Sequence, residues 1–403
     1  MKVLQINSVC GVGSTGRIAT DIHKILVEQG HDSYIAYGRG DAVNCENAIR
    51  IGSKLDNYYH VAKTRILDRH GFASRKATEE FIKKVKMLDP DVIHLHNLHG
   101  YYIDIELLFK YLKEANKKVV WTLHDCWTFT GHCSHFEFVG CERWKYQCYN
   151  CPQKNQYPKS IGLDNSTKNY DDKKKIFTGV KDLTIVTPSE WLANLVNDSF
   201  LKDYPVKVIN NGIDTEIFKP RKSHFKSKLG IEEEYVYLGV AGNWNDRKGF
   251  NYFIEMAQKL NENEVIVLVG VTNAQKSQLP RNIIGITHTN DVYELAKLYS
   301  CADVFVNPTL EDTFPTTNLE ALACGTPVVT FDTGGSGESL TSGTGIVVKS
   351  KDTMDLIYNV RKAHGISSQY CLQTARKNYN KVEKFMGYLR HYGLFFSEHK
   401  QLK

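Results

Sequence analysis

Two acids eight residues apart, Asp312 and Glu320, stand in the stretch "DTFPTTNLEALACGTPVV". Pro315 sits where a helix start loses nothing by lacking an N–H, Gly325 where a left-handed cap is wanted, and Pro327 prevents continuation. The pattern predicts a short helix whose free N–H groups and positive dipole end suit an anion such as a diphosphate. Asp312 falls in the loop and Glu320 more than a turn inside the helix, so both could reach hydroxyls of one extended ligand. A capped helix carrying two solvated acids is the plain alternative. A second stretch, "AGNWNDRKGF", sets Arg247 and Lys248 side by side before Gly249. Two fixed cations there could neutralise a leaving diphosphate. Alone, such a triplet reads as a solvated helix start.

Three further groups carry chemistry. The turn "GVGSTG" spaces Gly11, Gly13 and Gly16 as Gly-x-Gly-x-x-Gly between a strand and a helix. A dinucleotide site would add an acid at the end of the second strand. That strand ends "YIAYGRG" with no acid until Asp41, which weighs against a dehydrogenase. His124 ends the strand "KVVWTLH" and is followed by Asp125; its place at a carboxyl edge favours ligand contact over a backbone-bonded edge histidine. In "HLHNLHG", His94 and His96 share a strand face, with no third metal ligand evident beside them or His99. Cys133, Cys141, Cys148 and Cys151 are spaced x7, x6 and x2, which suits a structural zinc ion, with a loop of unmetallated thiols as the other reading. The remaining cysteines, Cys10, Cys45, Cys126, Cys301, Cys324 and Cys371, read as isolated thiols.

These groups need elements to hold them. Short apolar runs alternate with amphipathic stretches throughout, the pattern of parallel α/β layers. One series runs from "KVLQINSV" to "LTIVTPS" and "VKVINNG", and a second from "YVYLGVAG" to "GIVVKS". At 403 residues the chain is too long for one ordinary core. We expect one Rossmann-like domain over 1–185, with a Cys-rich insertion at 131–175, and a second over 186–379. A C-terminal helix over 380–403 is expected to pack back. The polar stretch "DTEIFKPRKSHFKSKLGIEEE" reads as the interdomain region. The net charge of +6 is too mild and too evenly spread to point to nucleic acid, and suits anionic small molecules or an acidic membrane surface. "MKVLQINSV" reads as a strand and not a secretory signal, and no run reaches the length of a membrane span. A cytoplasmic protein is expected, for which ten cysteines do not imply a disulfide framework.

Taken together, "VTPSEWL", "VINNGIDTEIFKP", "GNWNDRKG", "CADVFVNPTLEDTFPTTNLEALACGTPVVTFDTGGSGE" and the glycine turn resemble the retaining glycosyltransferases of family 4. The resemblance covers nearly the whole chain. It implies the GT-B fold, α/β with two Rossmann-like doubly wound domains facing a cleft. The family's Glu-x7-Glu motif maps onto Asp312 and Glu320. By resemblance, Asp312 and the backbone of Thr313, Phe314, Pro315 and Thr316 hold the donor sugar, and Glu320 the ribose. Lys248 matches the phosphate-binding lysine, and Glu338 a further acid of the donor site. Gly13 lies in the turn that abuts donor phosphate and acceptor, and His124 contacts the transferred sugar. Two departures stand out. The first motif acid is Asp, with Glu311 beside it as a rival, and the family's phosphate arginine would fall near Gly242 and Asn243. By resemblance Asn243 occupies that donor-side place, and Arg247 supplies the missing charge from a neighbouring position.

The resemblance implies front-face transfer, the leaving phosphate oxygen taking the acceptor's proton, with no divalent cation and no enzyme nucleophile. Any zinc would support the cysteine loop. Members that build surface polysaccharides imply a saccharide or lipid-linked saccharide acceptor at the inner membrane face, which a basic helix such as "SRKATEEFIKKVKM" could touch peripherally. A GT-B sugar-nucleotide epimerase and a non-catalytic nucleotide-sugar-binding protein are the alternatives.

Overall fold

The computed structural model describes residues 1–394. Two compact units divide the chain: Met1–Ile209 with the segment from Lys384 onward, and Asn210–Glu383. Each is built on a parallel sheet.

The first sheet contains β1 (Lys2–Asn7), β2 (Asp32–Tyr37), β3 (Ala48–Arg50), β4 (Val92–Leu95), β5 (Lys118–Thr122), β6 (Leu183–Thr187) and β7 (Val206–Val208), ordered β3-β2-β1-β4-β5-β6-β7. Alternation along the strands divides their side chains between two cores. Val3, Val92, Val120 and Val186 face the helix Gly13–Glu28 and the helix Lys381–Tyr392, whose Phe385, Tyr388, Leu389 and Tyr392 complete that layer. Leu4, Ile93, Val119, Trp121 and Ile185 face the opposite core. The expected boundary at 185 would cut β6. The structure moves it to 209, because β6 and β7 both pair in the first sheet. The expected C-terminal helix packs on this unit as far as it is described; residues 395–403 lie outside the described residues.

The second sheet contains β8 (Tyr235–Val240), β9 (Glu264–Val269), β10 (Ile283–Ile286), β11 (Val304–Asn307), β12 (Val328–Phe331) and β13 (Gly345–Val348), ordered β10-β9-β8-β11-β12-β13. Val236 and Leu238 face one core and Tyr237 the other; β9 and β12 alternate the same way. The polar stretch from Asp214 is not a linker. Lys226 pairs with Asp303 at 2.9 Å, and Arg221 takes the Ser300 hydroxyl on its N–H, which binds the stretch to this unit.

In both sheets the strand order reverses once, between β1 and β4 and between β8 and β11. Loops leaving such neighbours in opposite directions open a crevice at the carboxyl ends, where α/β proteins bind ligands. No helix among the described residues is long and apolar enough to cross a membrane.

Candidate active site

In the second unit the reversal brings together stretches distant in sequence. After β8 the chain makes a short 3-10 turn, Asp246–Lys248, closed by the Asn245 side chain accepting from the Lys248 N–H at 3.0 Å. Gly249 follows at φ +76°, and a Cβ there would stand 2.1 Å from the Pro308 carbonyl oxygen. Only glycine lets the turn lie this close to the loop after β11. Lys248 Nζ then reaches Asp312 Oδ2 at 2.5 Å. Arg247 donates to the Glu311 carbonyl at 3.0 Å, and its own carbonyl accepts from the Leu310 N–H. Lys248 thus meets the motif acid directly, whereas Arg247 holds the loop's backbone. Glu311, the rival acid, is buried; Asp312 is partly exposed.

The loop leads into the helix Thr316–Ala323, with Pro315 at its N-cap in extended conformation. No side chain caps this start and its first turn contains no acid, so its N–H groups remain oriented toward the crevice end of β11. Thr316 is half-buried and Thr313 nearly buried. The Phe314 ring lies in the core, leaving backbone alone for a ligand. Glu320 is buried one turn in and accepts from the Tyr299 hydroxyl at 2.9 Å. Gly334, at φ +55°, lets "TGGSG" press against the Asp312 carbonyl, which accepts from the Gly335 N–H at 2.9 Å. Glu338 and Asn243 are exposed.

Several positioning groups escaped the sequence reading. Asn318, fully buried, donates to the Ser336 carbonyl and Ser339 hydroxyl and accepts from Asn307, joining helix, glycine loop and β11. Trp244 anchors the Asn243 loop through its indole N–H on the Val269 carbonyl at 2.8 Å. Both stand among ordinary polar or aromatic neighbours, so only the alternation of buried positions could have marked them.

In the first unit, Gly11 and Gly13 adopt positive φ, and a Cβ on Gly11 would meet the Val43 carbonyl at 2.1 Å. The helix Gly13–Glu28 therefore starts at the reversal between β1 and β4, with no side-chain cap and no acid in its first turn. His124 lies nearby in the same unit's sheet register, half-buried, with Nε2 3.1 Å from His96 Nδ1. His96 Nε2 is 3.0 Å from Gln5 Oε1, and the Gln5 amide N–H donates to the Ala19 carbonyl at 2.9 Å.

That chain fixes where the protons are. A carbonyl only accepts, so the Gln5 amide nitrogen faces Ala19 and its oxygen faces His96. His96 Nε2 must donate, and burial drives this imidazole well below its usual range, so its Nδ1 is a bare acceptor. His124 must then donate from Nε2, and with burial lowering it to about 4, its Nδ1 is an acceptor at neutral pH. His94, whose ring centroid lies 4.0 Å from that of His96, contacts Thr122 and the Tyr392 hydroxyl. His99 pairs with Asp125 at 2.7 Å and meets Tyr157 at 3.0 Å. Burial raises the Asp125 carboxyl, but the His99 ring, His135 and the Trp127 N–H together outweigh it and hold it at about 2.

Cys133, Cys141, Cys148 and Cys151 all line one cavity of about 10 Å³, together with His132. The Cys133 thiol hydrogen-bonds with Cys151, and Cys148 Sγ accepts from the Gly131 N–H at 3.2 Å. His132 is buried, its Nδ1 paired with Asp68 at 2.5 Å, and its Nε2 has no hydrogen-bond partner. As placed, no three His, Cys, Asp or Glu side chains among the described residues form a set that could hold a metal ion. Cys10 and Cys45 are not isolated: their thiols hydrogen-bond to each other, and Cys45 Sγ lies 3.7 Å from His23 Nε2.

Two parallel sheets with single reversals, each opening on an uncapped helix start, are the architecture of GT-B glycosyltransferases. The fold matches sucrose-phosphate synthase from Thermosynechococcus elongatus with a TM-score of 0.71 at 16% identity, covering 98% of each chain. It also matches Anabaena Alr3699/HepE in complex with UDP-glucose, with a TM-score of 0.65 at 13% identity over 98% of this chain and 99% of that one. Residues 15–217 match Glycosyltransferase Family 4, and residues 235–364 match Glycosyl transferases group 1. The chain belongs to glycosyltransferase family 4. A relative in Escherichia coli (strain K12), named for colanic acid biosynthesis as the glycosyl transferase WcaC, is 24% identical over 89% of both chains.

Proposed function

We propose that this glycosyltransferase moves a hexosyl group, with retention, from a nucleotide-diphosphate sugar to a saccharide or lipid-linked saccharide, in surface polysaccharide synthesis. The observation that carries the reading is the meeting of Lys248 with Asp312 in front of an uncapped helix start. In the second unit Lys248 and the N–H groups at Thr316 would neutralise the leaving diphosphate, Arg247 would hold the loop, and Glu320 would take the ribose. Asp312 would orient the sugar, Lys248 holding its carboxylate in place until phosphate arrives. In the first unit His124 would contact a sugar hydroxyl. None of these steps uses a metal ion. The relative's name supports the polysaccharide setting, and peripheral contact with a membrane belongs to the same reading.

Lys248→Ala tests it. Nucleoside diphosphate release at saturating donor should fall by two to three orders of magnitude, roughly the effect of deleting one preorganised charge partner. Release within twofold of the parent would overturn the assignment. A GT-B epimerase is separated by the same assay: it would turn over nucleotide sugar without any acceptor.

We infer separately that the cysteine loop takes a structural zinc ion, for which the thiols around one cavity and the bare His132 Nε2 supply donors. Asp68 behind His132 is the arrangement that orients a metal-binding imidazole. Binding would have to draw the side chains together from their present positions.

A further inference from the structure

The helix Lys54–Leu67 turns His60 and Thr64 inward and leaves its other face uncovered. Leu55, Tyr58, Tyr59 and Ile66 recur on that face at helical spacing, a stripe roughly 16 Å long. The loop after the cysteines extends it. Ile161 and Gly162 donate their N–H groups to the Arg65 carbonyl at 2.8 and 3.1 Å, and Leu163 to that of Ile66 at 3.0 Å. Ile161 and Leu163 are thereby set beside the last turn of the helix. These six large side chains are between 55% and 78% exposed. Scattered exposed hydrophobes need no explanation, but a contiguous set on one helix and its adjoining loop does.

The surrounding charge says what covers it. Lys54 and Lys159 are exposed at the two parts of the patch, and Arg65 is half-buried between them. Two carboxylates lie near as well, Asp56 turned onto the Ser53 N–H and hydroxyl and Asp164 onto the Cys151 and Ser166 N–H groups, so the three cations outnumber the acids by one. Lysine is depleted in protein–protein interfaces, whereas lysine beside tyrosine and aliphatic side chains is the composition of bilayer-surface anchors. The basic helix Arg75–Leu88 buries Phe81 and Val85 in the core and offers no comparable apolar stripe.

We propose that this patch docks the first unit on a bilayer surface containing anionic lipid, with Leu55, Ile66, Ile161 and Leu163 entering the headgroup boundary. This rests on the membrane part of the functional reading and gives it a surface. The full chain should sediment with vesicles of phosphatidylethanolamine and phosphatidylglycerol, and more weakly with phosphatidylcholine alone. L55S/I66S/I161S should weaken binding to the anionic vesicles about tenfold or more. K54E/K159E should weaken it while removing the difference between the two lipids. Both variants should release nucleoside diphosphate with a soluble saccharide acceptor as the parent does, which separates this proposal from the transferase reading because the vesicle assay contains no sugar nucleotide. Failure of the parent to bind vesicles, or undiminished binding by L55S/I66S/I161S, overturns the proposal. So does a parent that is dimeric without lipid and becomes monomeric in that variant, since the patch would then be occupied by a second copy.

Discussion

Gln5 touches no candidate ligand, yet it determines which nitrogen of His124 bears the proton, two hydrogen bonds away. Gln5→Leu removes the acceptor that orders His96, so nitrogen chemical shifts of His124 should change from one tautomer to a mixture. Gln5→Glu keeps an acceptor and should retain the single form. A single unchanged tautomer in Gln5→Leu would show that the order comes from elsewhere. The same imidazoles make stability depend on pH. Burial holds His94 at about 3 and His124 at about 4, with Asp125 raising and His99 lowering the latter, while unfolded imidazoles titrate near 6.5. Below pH 6.5 the unfolded chain therefore binds more protons than the folded one, and stability falls as pH falls. Each such histidine contributes about 1.4 kcal/mol per pH unit until its folded value is reached. Urea midpoints at pH 7.5 and 5.5 should show the first unit losing stability; a flat profile would contradict the buried, neutral assignment. Among the acids, Asp312→Ala should abolish transfer through loss of the carboxylate that orients the sugar. If transfer survives that change and is lost in Glu311→Ala, the motif register is one residue off.

At the level of elements, most of the site was readable where backbone demands restrict the residue type. The Gly249 turn, the helix after Pro315 and the glycine start at Gly11 each require a residue that stands out in a sequence. Gly249→Ala forces a Cβ toward the Pro308 carbonyl, so the second unit should lose roughly 1–3 kcal/mol and donor affinity should fall with it. A calorimetric transition unchanged by that substitution would mean the loop yields freely. Histidine partners and Asn318 were not readable, because a buried hydrogen bond between sequence-distant side chains leaves no local pattern. Cysteine spacing gathered four thiols around one cavity but could not show how tightly they converge. Elemental analysis should find about one zinc per chain. Metal-free protein of full activity would leave the thiols as packing groups.

For the whole molecule, periodicity conveyed two parallel sheets but misplaced the boundary between units. β6 and β7 read like any other short apolar runs, and nothing local to them says which sheet they join. The polar stretch after Asp214 looked like a connector because its ion pairs face partners far along the chain. Phe385→Ala tests the corrected division: removing a ring from the core shared with Val3 and Val186 should cost about 3–5 kcal/mol in the first unit and spare the second. Two unfolding transitions should separate, with only one displaced.

The helix Lys381–Tyr392 begins in the last residues of the second unit, and its part that closes the first core, from Lys384, is encoded after that unit. During synthesis β1 to β7 emerge long before the helix that covers one of their faces. The second unit, continuous in the chain, can therefore finish its fold while the core around Val3, Val92, Val120 and Val186 still lacks Phe385, Tyr388, Leu389 and Tyr392. Chains truncated after Glu383 and released should contain a protease-resistant second unit joined to a digestible first one. The order of maturation is thus the reverse of the order of translation, and a chaperone that protects this protein would have its binding surface on the half made first.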